Sequence, residues 1–319
     1  MTSHIRFIGA ALLAGAGIAI AAPVGAAGFP EKDITFIIPY GPGGGFDTYV
    51  RKIAPVMQKH LPNKVNVVVK NIDGAGGKKA LSLLYREKPD GYHIAIFNMP
   101  GMLLDKILGK ETSYDIDKFT WLGRVAQSKY ALAVSTKGKY TSLDALKKAG
   151  APLKYAVTSP SSGAYVAGKI MAKAMGMDVK FLPGYKGSAK ISLSIVRGDT
   201  DLSLFNTRSL EKWMKGGDLK PVLSFEKKSS FKGVPTAAEI GQKELELLTI
   251  ERVVGTSPGV PADVQKILSD ALYAALTGKE IQGWHKKTGR PIDPLKSTET
   301  AQLIKELGTF FTKYKDTLK

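Results

Sequence analysis

The chain has 319 residues, with 46 lysines and arginines against 28 aspartates and glutamates, 44% hydrophobic residues and no cysteine. That length suits about two globular domains, and the composition excludes disordered and fibrous classes. Thiol catalysis, disulfide frameworks and thiolate metal sites are excluded too; the four histidines (His4, His60, His93, His285) are too scattered to suggest a ligand pair, so neither metal nor cofactor is expected.

The chain opens with Arg6 as the last charge of a short basic start. An uncharged stretch through Phe7, Leu12, Leu13 and Ile18 follows, with the small residues Gly25-Ala26-Ala27 before the first acid, Glu31. This order is that of a secretory signal peptide. Pro23 cuts the apolar part below the roughly 20 residues that a bilayer span requires. Residues 1–27 are therefore expected to be removed near Ala27, leaving a soluble periplasmic protein. The lysines that make the chain basic are scattered in ones and twos rather than in a run. Nucleic acid is not an expected partner; the charge is either a solvated surface or an attraction for anionic solutes.

Beyond the leader, strand-like and helix-like segments alternate, as in an α/β architecture. Residues 34–39 read as a buried strand, followed by a helix from about Asp47 with Val50, Ile53, Ala54 and Met57 on one face. Residues 65–69 read as a second strand, residues 74–77 open a helix carrying Ala80, Leu81 and Leu84, and residues 92–97 read as a third strand after the turn Pro89-Asp90-Gly91. The alternation resumes with strands at 155–157, 179–182, 202–205 and 221–225, and helices after the first two of them. Two amphipathic helices near the end carry Val264 to Ala275 and Ala301 to Tyr314. Residues 121–135 and 245–257 are strand-rich and suit a pair of crossings between two lobes.

The segment Pro39-Tyr40-Gly41-Pro42-Gly43-Gly44-Gly45-Phe46-Asp47 joins a strand to a helix. Glycines let backbone N–H groups converge, and at a helix N-terminus such groups favour an anion. The loop lacks the Gly-Lys-Ser/Thr ending of a phosphate loop and the spacing of a dinucleotide fingerprint. Asp47 falls in the first helical turn and reads as a loop-shaping cap. A second glycine loop, Asp73-Gly74-Ala75-Gly76-Gly77, lies at the next strand–helix junction, and in open α/β sheets such junctions gather at one edge.

Residues 39–51 resemble the opening signature of the tripartite tricarboxylate transporter solute-binding proteins of the TctC or Bug type. Asn71 to Gly77, Pro89-Asp90-Gly91-Tyr92, Tyr185-Lys186-Gly187-Ser188, Gly198 to Asp201 and Val234-Pro235-Thr236 are similar to further family motifs in the same order. The resemblance implies a type II periplasmic binding protein fold: two α/β lobes joined by two crossover segments. Lobe 1 would comprise residues 28–125 and 250–319, and lobe 2 residues 126–249. It implies a monomeric, non-enzymatic protein that captures a small organic anion by lobe closure and presents it to the membrane permease subunits of a tripartite tricarboxylate transporter. A sensor module serving a membrane receptor, and a secreted hydrolase, are the alternatives. The hydrolase is disfavoured, since Ser159, Ser161 and Ser162 lack a nucleophile-elbow motif and an adjoining histidine.

Carried over onto this sequence, Tyr40, Gly43, Gly44, Gly45, Phe46 and Asp47 would form one wall of the ligand site with Asn98 beside them. Thr158, Ser159, Ser161, Ser162, Gly163 and Ala164 would form the other, with Tyr185 and Asp201 behind. Phe46 stands where the family usually has Ser or Thr, and Gly163-Ala164-Tyr165 replaces a more hydroxylated stretch. These departures point to a carboxylate with a sizeable apolar body, a dicarboxylate or an aromatic acid. Arg252, on the return crossing, reads as a surface residue, with an ion pair to the solute as the alternative.

Overall fold

The computed structural model describes residues 28–160 and 162–319; the expected leader and Ser161 lie outside the described residues. Nine strands form one continuous curled sheet: β1 Ile34–Ile38, β2 Val67–Asn71, β3 His93–Met99, β4 Thr120–Ser135, β5 Leu153–Ala156, β6 Val179–Leu182, β7 Leu202–Asn206, β8 Leu219–Ser224 and β9 Thr249–Thr256. Their order is β2-β1-β3-β9-β4-β7-β5-β6, with β8 also paired to β4. Among the described residues the helices are α1 Gly45–Gln58, α2 Lys78–Arg86, α3 Leu104–Leu108, α4 Leu143–Lys147, α5 Gly163–Ala174, α6 Ser188–Arg197, α7 Thr207–Lys215, α8 Ala262–Thr277, α9 Lys279–Thr288, α10 Ser297–Lys313 and α11 Lys315–Leu318.

The sixteen-residue strand β4 makes two lobes out of one sheet. From Thr120 to Lys129 it pairs antiparallel with β9 and belongs to the β2-β1-β3-β9 half. From Tyr130 onward it pairs with β7, and from Ala131 with β8, in the second half. The exchange of partners falls between Lys129, opposite Thr249, and Tyr130, opposite Asn206. Within each lobe the parallel strands have helices on both faces, so their side chains are buried in both directions. On β1, Ile34, Phe36 and Ile38 pack with Val50, Ile53 and Met57 of α1 and Leu268 and Leu272 of α8. The intervening Ile37 joins Leu81 and Leu84 of α2 and Ile304 and Leu307 of α10. This two-residue alternation pins the register, because a slip by one would exchange the faces.

In the second lobe, Leu132 and Leu204 meet Val166 and Ile170 of α5, while Ala131, Ala133 and Phe205 meet Ile191 and Ile195 of α6 and Leu210 of α7. Two expected strands sit two residues from their expected starts, at Val67–Asn71 and Leu219–Ser224. Helices α7 and α9, Thr207–Lys215 and Lys279–Thr288, are not among the expected elements; in α7, Leu210, Trp213 and Met214 keep a helical spacing, and in α9 only Ile281 and Trp284 do. No helix among the described residues is long and apolar enough to cross a membrane.

A buried ion network ties β4 to β9 near the exchange point. Glu251 accepts from Arg124 Nη1 at 3.3 Å, Gln127 Nε2 at 2.7 Å and Thr249 Oγ1 at 2.6 Å. Arg124 reaches outward to Asp293, whose side chain is 54% exposed, whereas that of Glu251 is 1% exposed. Removing one partner of a buried pair strands the other charge, at a cost of about 3–5 kcal/mol, whereas exposed pairs contribute about 0–1 kcal/mol. Glu251→Ala is therefore expected to lower the urea-unfolding free energy by about 3 kcal/mol, and Asp293→Ala by less than about 1 kcal/mol.

Candidate functional site

The carboxyl ends of β1, β3, β5 and β7 all point toward the line where β4 changes partners. In open α/β sheets a crevice at such ends is where ligands bind. Here a cavity of about 200 Å3 opens there, lined from the first lobe by Phe46, Asn98, Ile250 and Arg252, and from the second by Tyr130, Thr158, Gly163 and Asn206 among others. It continues outward into a wider mouth of about 1070 Å3 that shares Phe46, Ser188, Asn206, Ser209 and Arg252 with it.

Register puts the key side chains together. Asn98 on β3 lies opposite Arg252 on β9, and Tyr130 on β4 lies opposite Asn206 on β7. Directly opposed residues project from the same face of a sheet. Arg252 is buried, with 8% of its surface exposed. Its Nη1 donates to Ser128 Oγ at 2.8 Å, and its guanidinium lies 5.1 Å from the Phe46 ring centre and 4.9 Å from that of Tyr49. Among the described residues no carboxylate forms an ion pair with it, and its Nε has no hydrogen-bond partner. Burial accordingly pushes the guanidinium pKa down, with the nearby tyrosines and Glu251 opposing. Two more buried polar atoms without partners line the same cavity, Asn98 Oδ1 and Tyr130 Oη. The Asn98 amide nitrogen is occupied, donating to Tyr40 Oη at 3.0 Å.

Four helices also begin at the crevice: α1 at Gly45, α5 at Gly163, α6 at Ser188 and α7 at Thr207. Each contributes unpaired N–H groups and the positive end of its dipole. Ser162 caps α5 by accepting from Tyr165 N at 3.2 Å, and Asn206 caps α7 by accepting from Ser209 N at 2.9 Å. Helices α1 and α6 have glycine caps, Gly44 and Gly187, with no side-chain acceptor, so their first amides stay open to a solute. Gly163 has a steric reason as well: a Cβ there would stand 2.7 Å from Tyr130 Oη.

Of the residues singled out from the sequence, Phe46, Asn98, Thr158, Ser162, Gly163 and Ala164 line the inner cavity, and Gly45 lines the mouth. Tyr40 stands behind them, bonded to Asn98 and with its ring centre 5.0 Å from that of Phe46. Tyr185 backs the second wall through its amide, which donates to Val157 O at 3.3 Å. Gly44 and Ser159 are outside both linings; Ser159 O accepts from the Ser162 amide at 3.1 Å.

Three residues do something other than face a solute. The Gly43 amide donates inward to Asp47 Oδ2 at 3.0 Å, and the Asp47 carboxylate also takes Arg51 Nε at 2.9 Å and Asn71 Nδ2 at 2.9 Å. Asp47 is thereby turned into the first lobe, and Asn71 clamps the loop further by donating to Tyr40 O at 2.9 Å. Asp201 precedes the opposite end of β7 from Asn206, where its carboxylate accepts from Lys154 N at 2.7 Å. At ~3.3 Å per strand residue, five residues of β7 separate the two by more than 15 Å. In the second loop Gly77 serves packing: a Cβ there would meet Met102 at 2.6 Å and Pro39 at 3.2 Å.

The reading of Arg252 as a surface residue is overturned. It sits in an interior strand, in the run Thr249-Ile250-Glu251-Arg252-Val253-Val254, where adjacent charges within an apolar strand are the one sequence signal that marked it. Tyr130, Ser188, Asn206 and Ser209 also line the cavity without having been singled out. Ser188 stood in the Tyr185-Lys186-Gly187-Ser188 motif, and the Asn206-Thr207-Arg208-Ser209 start of α7 offered a hint as a helix-capping sequence.

Residues 49–309 match the family described as the tripartite tricarboxylate transporter family receptor, TctC. The chain belongs to this family. It is 27% identical to protein BugT of Bordetella pertussis over 288 residues, covering 86% of each chain. Among solved structures, MatC of Rhodopseudomonas palustris with bound malate superposes with a TM-score of 0.73 at 20% identity, covering 91% of this chain and all of that one. Rpa4515 of R. palustris with adipate superposes with a TM-score of 0.73 at 22% identity, covering 91% of this chain and 98% of that one. These likenesses establish the two-lobed fold of the type II periplasmic binding proteins. TctC proteins are solute receptors, and this member is a binding protein rather than an enzyme.

The Asp47 cluster carries a pH signature. Hydrogen bonds from Arg51 and Gly43 hold the Asp47 carboxyl at a pKa of about 2, below the unfolded value of about 3.9. A lowered native pKa gives stability that is present above the unfolded pKa and lost as pH falls through the native one. The stability difference between wild type and Asp47→Asn, measured by urea unfolding, is expected to be full above about pH 4 and to shrink steadily toward about pH 2.

Proposed function

We propose that the interlobe crevice of this TctC-family receptor binds a small organic carboxylate, with the solute's acid group as the missing partner of Arg252. The observation that carries this reading is the buried guanidinium left without a carboxylate, stacked on Phe46 and Tyr49. A cation enclosed in this way and, among the described residues, hydrogen-bonded to Ser128 without an ion pair is costly unless an anion joins it. The open amides of α1 and α6 add charge-assisted donors, and Asn98 Oδ1 and Tyr130 Oη complete a polar lining for hydroxyl or water. Malate in MatC and adipate in Rpa4515 support carboxylates as the solute class.

Micromolar affinity corresponds to about −8.2 kcal/mol. A bidentate Arg–carboxylate contact with two or three amide bonds, at about 1.5–3 kcal/mol each, reaches this range after ordering costs. The rings of Phe46 and Tyr49 favour a solute with an apolar body between its polar ends. Groups from both lobes contribute to one solute, so binding favours the closed arrangement over an open one. In this reading residues 1–27 direct export and are cleaved near Ala27, and the mature monomer, with lobe 1 at 28–125 and 250–319 and lobe 2 at 126–249, hands its solute to the membrane subunits of a tripartite tricarboxylate transporter.

Calorimetry against malate, adipate and aromatic acids tests the solute class, and Arg252 tests the mechanism. Arg252→Met is expected to weaken the best ligand by about 100-fold or more while circular dichroism stays unchanged. Arg252→Lys is expected to restore little, since it loses both the planar fork and the ring stacking. Undiminished affinity in Arg252→Met rejects the role of the guanidinium, and a panel without any binder rejects the solute class.

A further inference from the structure

The crevice mouth holds more positive charge than a single carboxylate would use. Arg208 and Lys215 reach it from α7 on the second lobe, and Lys287 and Arg290 from the end of α9 on the first, with Glu211 as the acidic residue of the lining. Neither Arg208 nor Arg290 has an ion-pair or hydrogen-bond partner for its guanidinium among the described residues. The two come from opposite lobes. Arg208 Nη1 reaches the Gly289 backbone so closely that a Cβ on Gly289 would stand 2.3 Å from it. Gly289, at φ +63°, directly precedes Arg290.

Arg290 is held beside the solute path. Tyr49, whose ring faces Arg252, donates its hydroxyl to Pro291 O at 2.7 Å. Arg252, Arg290 and Arg208 all act electrostatically on the Tyr49 hydroxyl, opposing the upward push of burial on its pKa, and Arg290 also lowers that of Arg252. Guanidiniums from three segments thus converge on the Tyr49 hydroxyl, and that of Arg290 disfavours the charge on Arg252. One carboxylate deep in the crevice neutralises Arg252 alone; the outer pair still has no ion-pair partner among the described residues, Glu211 being in the lining but not paired to either.

We propose that Arg208 and Arg290 form a second anion subsite, shared between the lobes at the crevice mouth, which takes the far acid group of a dianionic solute. The proposal rests on Arg252 holding the near carboxylate. It makes the outer acid group an electrostatic bridge: with it in place, Arg208 and Arg290 are drawn together as the lobes close, and without it they repel. The solute class is then an acid with a charged group at each end and an apolar middle against Phe46, in preference to an aromatic monoacid.

The test measures binding of dicarboxylates from succinate to suberate and of monocarboxylates of matching length from butyrate to octanoate. It compares wild type with the Arg208→Gln/Arg290→Gln double variant, whose positions lie at the mouth and outside the core. At the best length, wild type is expected to bind the dicarboxylate about tenfold or more tightly than its monocarboxylate. The double variant is expected to lose most of that preference while its monocarboxylate affinity stays within about twofold. In Arg208→Glu, 6-aminohexanoate is expected to gain on adipate, since the far ammonium replaces the far carboxylate. Equal binding of both series by wild type, or a preference that survives in the double variant, overturns the second subsite and leaves Arg252 intact. Loss of both series in wild type overturns the carboxylate reading itself, and the subsite with it.

Discussion

The structure is organised around a buried guanidinium, that of Arg252, which forms no ion pair among the described residues. Arg252 lies in an interior strand, shielded by two aromatic rings and hydrogen-bonded to a serine, while its neighbour Glu251 is committed to Arg124, Gln127 and Thr249. The contrast between these adjacent residues is informative. In an extended strand they project to opposite faces, so one charge enters a closed network and the other enters the crevice. An enclosed guanidinium facing open space favours an anion, and the fold supplies that space only where its two lobes meet.

That meeting place is set by strand pairing. Because β4 exchanges β9 for β7 midway, one sheet continues through both lobes, and the carboxyl ends of two parallel pairs, β1 with β3 and β5 with β7, face a common gap from opposite sides. The helices that follow β1, β5, β6 and β7 begin at the gap, so their amide-rich ends are gathered by topology rather than by any special local sequence. Ser162 and Asn206 close two of those ends with side-chain caps, and glycine leaves the other two open. The division separates helix ends that are structurally complete from ends that still have donors to offer.

The glycine-rich loops illustrate why composition alone misleads about role. Gly43 and Asp47 bond to each other, and Arg51 and Asn71 lock that pair, so the first loop is a rigid frame that presents Gly45 and Phe46. In the second loop Gly77 is needed because Met102 and Pro39 approach too closely for a side chain there. Rigidity here has a binding consequence, because a site fixed before the solute arrives spends less of its interaction energy on ordering.

Much of this protein was legible in the order of its residues. Alternation of apolar strands with amphipathic helices specified the α/β class, because periods of 2 and 3.6 residues are local properties of a chain. The ordered motifs from Pro39 to Thr236 specified the family and with it the two-lobed plan. The family resemblance pointed to Phe46, Asn98 and residues 162–164, and these residues line the inner cavity. Tertiary structure decided the rest. Nothing local distinguishes Asp201 at one end of β7 from Asn206 at the other, and only the sheet's direction sends one away from the crevice and the other into it. Likewise, whether Arg252 meets water, a carboxylate or a solute depends on groups more than a hundred residues away, at Phe46, Tyr49 and Ser128, that only folding brings together.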